Sequence, residues 1–123
     1  MNANGNPAFK GFGDIRKVHF NKIKRCAKRR NIFFNNEVSI ELLWNLFLKQ
    51  NKLCALSGVE LFFGRVHFTS ETNASLDRID SNKGYEIDNI QWVHKDINKL
   101  KDSFEQEYLF YLCTKITNKA LSL

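Results

Sequence analysis

LDRIDSNKGYEIDNIQWVHKDINKLK, residues 76–101, is the stretch whose reading decides the fold. Leu76-Asp77-Arg78-Ile79-Asp80 alternates in character, as a half-buried strand does. Ser81-Asn82-Lys83-Gly84-Tyr85 is a turn cluster in which Gly84 can supply a positive φ. Asn89 leads into Ile90-Gln91-Trp92-Val93, a second short run of β-formers. From Lys95 onward, Ile97, Leu100 and Phe104 recur at helical spacing. The expected order is strand, loop, strand, helix.

Working outward, the flanks read as helices. Asp14 caps or begins a helix to about Arg30, with Ile15, Val18, Ile23, Cys26 and Ala27 on one face. After a turn at Asn35-Asn36, Ser39 is placed to cap a second helix from Ile40 to about Asn51. That helix is apolar over most of its surface (Leu42, Leu43, Trp44, Leu46, Phe47, Leu48) and should lie centrally. Leu53 to Phe63 reads as a tight β-element turning at Ser57-Gly58, and residues 64–73 as a polar connection. Ser103-Phe104-Glu105-Gln106 has the form of a capping box, opening a last helix with Tyr108, Leu109, Leu112 and Ile116 on its inner face. Residues 1–12 read as a flexible leader and 13–123 as a single domain. The expected class is α+β, helices packed around one hairpin.

At 123 residues, 43% hydrophobic with eleven Phe, the chain can bury a core. No apolar run reaches the ~18 residues that suggest a membrane span. The opening MNANGNPAFKGFG lacks the apolar stretch of a secretory signal. Cys26, Cys54 and Cys113 are odd in number and widely spaced, which fits free thiols in a reducing cytoplasm. The formal charge is +6, unevenly spread. Residues 1–52 carry 11 Lys/Arg against 3 Asp/Glu, whereas residues 53–123 carry 8 against 10. Eight of the fifteen residues from Arg16 to Arg30 are basic. A polyanion is the natural partner of such a helix, and nucleic acid the commonest; a merely solvated basic face is the alternative.

The order and spacing of 76–101 resemble the HNH family of metal-dependent nucleases, whose core is a ββα-metal finger, here spanning residues 74–103. Ile23-Lys24-Arg25-Cys26-Ala27-Lys28-Arg29-Arg30, Phe33/Phe34, Leu43-Trp44 and Leu53-Cys54-Ala55-Leu56-Ser57-Gly58 extend the likeness to small phage and bacterial HNH endonucleases, over roughly residues 14–104. The resemblance implies that Asp77 and Asn98 are the metal-ligand pair, that Asp102 stands where some members carry another helix ligand, and that Asn89 is the orienting mid-loop residue. Such oxygen donors suit Mg²⁺ or Mn²⁺, one per site.

One position departs from the family pattern. Where the general-base His belongs, this chain has Arg78, which cannot be deprotonated in a protein. Arg78 can grip phosphate as a bidentate fork or pair with Asp80 on the same strand face. His94, four residues before Asn98, and His67 are the candidate replacement bases, His19 more naturally packing or touching phosphate; His94 stands equally where zinc-containing relatives carry a structural Cys, near Cys54. A water activated without a protein base is a further alternative. Of the two CxxC knuckles of those relatives only Cys54 remains, so no structural zinc is expected.

The function expected is hydrolysis of double-stranded DNA. Lys83, Lys95, Lys99 and Lys101 would lie near the backbone, and Lys24, Arg25, Lys28 and Arg29 would clamp neighbouring phosphates. The alternative is a DNA-binding module on the HNH scaffold whose catalysis is weakened by Arg78. Whether the chain acts as monomer or homodimer stays open.

Overall fold

In the computed structural model, which describes residues 10–64 and 72–122, the elements run β1 (Gly11–Phe12), β2 (Ile15–Arg16), α1 (Lys17–Arg29), α2 (Ile40–Lys49), β3 (Ala74–Arg78), β4 (Ile90–His94), α3 (Lys95–Lys101) and α4 (Gln106–Leu121). The class is mixed α+β: β1 pairs with β2 and β3 with β4, both antiparallel. No described helix is long and apolar enough to cross a membrane.

The central helix forms where its apolar run and cap require it. Ser39 Oγ accepts the Leu42 amide at 3.1 Å, closing the first turn of α2. Leu43 and Phe47 turn inward against the hairpin and are all but inaccessible. There Phe47, Phe63 and Trp92 pack edge to face at centroid distances of 4.9, 5.1 and 6.2 Å. Each such pair contributes about 0.5–1.5 kcal/mol beyond the area it buries. The indole N–H of Trp92 reaches the Leu43 carbonyl at 2.9 Å, so this large side chain leaves no polar atom unsatisfied. Gln50 then clamps the Trp92 backbone, donating to its carbonyl and accepting its amide, both at 2.9 Å. The β3–β4 hairpin is thereby fixed to α2.

The loop of the hairpin is closed by Asn89. Its Oδ1 accepts the Asp80 amide at 2.9 Å, and its Nδ2 donates to the carbonyls of Asp80 and Gly84 at 3.0 and 2.9 Å. Gly84 is required for close approach rather than for a positive φ: a Cβ there would lie 2.5 Å from the Phe33 carbonyl oxygen. That carbonyl takes the Tyr85 amide at 2.8 Å and brings the end of α1 and its following loop onto the hairpin.

Several local expectations change. Gly11–Phe12 pair with Ile15–Arg16, so the leader expected to run to residue 12 gives way to structure by Gly11; residues 1–9 lie outside the described residues. Helix α1 starts at Lys17, not Asp14, because Ile15 is spent on β2 and completely buried. Leu53–Phe63 is a turn-rich loop held by a single Leu53–Glu60 bridge, with Gly58 at φ +76°. The capping box at Ser103–Gln106 does not form. The Ser103 carbonyl accepts the Ser81 hydroxyl at 3.2 Å, the Gln106 side chain turns to Gln91, and α4 begins without a side-chain cap. Of the inner face expected for α4, Leu109 is buried, whereas Tyr108 and Ile116 are 49% and 69% exposed.

Candidate functional site

The hairpin register sets Asp77 opposite Gln91 and Arg78 opposite Ile90. Asp77 is buried, and among the described residues both hydrogen bonds to its carboxylate fall on Oδ2. Gln91 Nε2 donates to that oxygen at 2.9 Å and also to Gln106 Oε1 at 2.6 Å. The second donor to Oδ2 is Lys101 Nζ, at 2.6 Å. Lys101 is completely inaccessible, and its ammonium also meets the carbonyls of Arg78 at 2.6 Å and Ile79 at 3.2 Å. Three donors meet three acceptors, which is what makes a buried ammonium tolerable.

This placement corrects the expectation that sets Lys101 among the lysines on the DNA backbone. A wholly buried side chain cannot make that contact. The spacing does carry a signal: Lys101 follows Ile97 by four residues and shares its inward face. Leu100, expected to share the apolar face with Ile97, is instead 66% exposed.

Asn98 is anchored in the same manner as Asp77. Its Nδ2 donates to Ser75 Oγ at 2.7 Å, leaving the amide oxygen uncommitted among the described residues. Asp77 and Asn98 line one cavity of about 260 Å³, with Arg78 and Asp102 on the same wall and Arg30, Lys95 and Lys99 also lining it. Asp102 closes α3 with φ +46° and is exposed. Six residues singled out from the sequence, Asp77, Arg78, Lys95, Asn98, Lys99 and Asp102, are therefore brought together. Arg30 joins them without having been expected as a DNA contact, although it ends the basic run of α1 that suggests such contacts.

Arg78 lines the cavity but does not pair with Asp80. Its Nη1 donates to the carbonyls of Ser81 and Lys83 at 2.7 and 2.9 Å, and its guanidinium lies 5.7 Å from the Tyr85 ring centroid. Asp80 instead accepts the Asn82 amide at 2.9 Å. Asn89, spent on the loop, and His94 do not line the cavity. His94 Nδ1 accepts the Asp96 amide at 3.1 Å and caps α3, so in that geometry the ring proton of the neutral imidazole is on Nε2. Its backbone amide donates to Cys54 Sγ at 3.3 Å. Burial pushes the Cys54 thiol up, but hydrogen bonds from Ser57 and the amides of His94, Leu56 and Ser57 outweigh it and leave the pKa lowered. His67 lies outside the described residues.

On α1, Lys24, Arg25, Lys28 and Arg29 are exposed, as are Lys83, Lys95 and Lys99 around the hairpin and α3. Half-buried His19 packs edge-on against Phe63 at 5.8 Å. Its pKa is lowered, first by burial and then by the charges of Lys22 and Arg16. Among the described residues no three His, Cys, Asp or Glu side chains cluster as a ready metal centre. Any cation held here would rest on one carboxylate, one amide oxygen and water, with Asp102 nearby.

No protein-family model matches the chain, and no match is found among curated proteins or solved structures.

Proposed function

We propose that this protein is a divalent-metal-dependent endonuclease that hydrolyses phosphodiester bonds in DNA, built on a ββα unit of the HNH type comprising β3, β4 and α3. One observation carries the reading: Asp77 and Asn98 line one cavity, each with one polar atom tied to the protein and, among the described residues, one oxygen left over. Side chains held in this way are preorganised ligands, because outer partners fix the orientation of the donor atom. The donor set fits Mg²⁺ or Mn²⁺, which take carboxylate and amide oxygens and keep several waters. When bound, such an ion supplies charge to stabilise the phosphoryl and departing oxygens.

The chain's own groups do the rest. Arg78 is anchored through Nη1, and its remaining N–H groups can hold the scissile phosphate. Arg30, Lys95 and Lys99 hold flanking phosphates around the cavity. Lys24, Arg25, Lys28 and Arg29 extend the contact along α1. Lys101 and Gln91 keep the Asp77 carboxylate in one rotamer.

A second reading has an observation of its own. The Lys101 ammonium already neutralises the carboxylate that would bind the ion, at 2.6 Å, which opposes cation binding. Together with Arg78 in place of a histidine, it favours a DNA-binding module with weakened catalysis. Plasmid cleavage with Mg²⁺ or Mn²⁺ against EDTA, alongside a gel shift, separates the two. Cleavage abolished by EDTA supports the nuclease; binding without cleavage in either metal supports the module. A protein that neither binds nor cuts refutes both.

A further inference from the structure

Beside the candidate centre lies a second cavity, of about 360 Å³, with Arg16, His19, Lys22, Thr72, Ser75 and Lys95 in its wall. Ser75 and Lys95 line both cavities, so the two are contiguous. The cationic groups come from separate elements: Arg16 from β2, His19 and Lys22 from α1, Lys95 from the start of α3. Among the described residues, Asp14 is the one carboxylate in the wall, against three permanent cations, and Arg16, Lys22 and Lys95 form no ion pair. Cations gathered with so little countercharge repel one another, and a bound anion relieves that repulsion.

We infer that this cavity is a phosphate subsite, taking a backbone phosphate of the nucleic-acid strand whose neighbouring phosphate lies at the Asp77–Asn98 cavity. The inference rests on the nucleic-acid reading above and deepens it, because it sets the direction in which the strand leaves the centre: past Lys95 toward Arg16 and Lys22. A phosphodiester fits the wall. Arg16 and Lys22 supply charge, Thr72 and Ser75 hydroxyl donors, and His19 a donor nitrogen that gains a second N–H on protonation. His19 also reports on occupancy. Burial, Lys22 and Arg16 hold its pKa low in the free protein, and a phosphate among those cations reverses the electrostatic part, with Asp14 and Lys95 the other charged groups of the wall among the described residues.

The test is NMR titration of the His19 ring in the whole protein, alone, with inorganic phosphate, and with a saturating short DNA duplex. Both additions should make His19 titrate higher by about half a pH unit or more. The rise should vanish in the double variant Arg16→Gln/Lys22→Gln. That variant should also lower the slope of log K against log salt for the duplex by about 0.9 for every phosphate it no longer neutralises. A duplex that binds yet leaves the His19 titration unchanged overturns the subsite while the nucleic-acid reading stands. Retention of the full rise in the double variant overturns it equally. A rise with inorganic phosphate but no duplex binding overturns both, leaving a site for small anions alone.

Discussion

Lys101 Nζ lies 2.6 Å from Asp77 Oδ2, joining the last residue of α3 to a strand of the hairpin, with the lysine wholly buried and the aspartate nearly so. An ion pair out of water repays its desolvation only when the remaining hydrogen-bonding capacity is also met. Here the Arg78 and Ile79 carbonyls and the Gln91 amide meet it. The pair locks α3 against β3, and so holds Asn98 and Asp77 to one cavity.

Lys101→Met should therefore destabilise the fold by about 3–5 kcal/mol, because it strands a buried carboxylate. Asp77→Ala should cost a similar amount by stranding the ammonium, so it is a poor probe of catalysis alone. The double variant Lys101→Met/Asp77→Leu should recover much of the loss. Urea unfolding of the three proteins checks this, and a single-variant loss below about 1 kcal/mol would contradict the pairing.

Asn98 gives the cleaner test of the site. Asn98→Ala removes one hydrogen bond, to Ser75, and should cost about 1 kcal/mol in stability. If the proposed metal site is right, cleavage should fall at least a hundredfold while duplex affinity in EDTA stays unchanged. Wild-type cleavage by Asn98→Ala would remove it from the ligand set.

Arg78 has two separable roles. Arg78→Ala should lower kcat by about 10²–10³, the loss associated with one preorganised donor to developing charge. It should also loosen the loop, since the Ser81 and Lys83 carbonyls lose their donor. Arg78→Lys should restore charge without the fork, and hence only part of the rate. If the guanidinium serves the loop alone, both variants will lose melting temperature and keep their kcat.

His94→Ala should cost about 1 kcal/mol, the usual loss of a side-chain cap, through the Asp96 amide. The shape of the pH–rate profile should not change. A profile that loses one limb in His94→Ala would restore His94 as a base.

On α1, Arg25→Ala/Lys28→Ala/Arg29→Ala should weaken binding to all DNA sequences alike. The slope of log K against log salt should shrink by about 0.9 for each phosphate left without its cation. Fluorescence anisotropy across a salt series checks it; an unchanged slope would make this a solvated face.

What the sequence determined was whatever adjacent residues decide among themselves. The strands around Asp77 and Trp92, the helix after His94, the cap at Ser39 and the α+β class follow from alternation, helical spacing and turn chemistry. These act over a few residues, and the structure bears them out. The grouping of Asp77, Asn98 and Asp102 with Arg78 came from a family resemblance; that they line one cavity depended on how the hairpin and α3 pack. Tertiary structure alone decided the rest. Gly84 is there because Phe33, from the loop after α1, crosses it, and no neighbour of Gly84 in the chain announces that approach. Gln106 abandons a capping box because Gln91 offers its side chain a partner. Lys101 outranks Leu100 for the interior because a carboxylate and two carbonyls wait there. A lysine is read as a surface residue until its partners are known, and those partners lie 22 to 24 residues earlier in the chain.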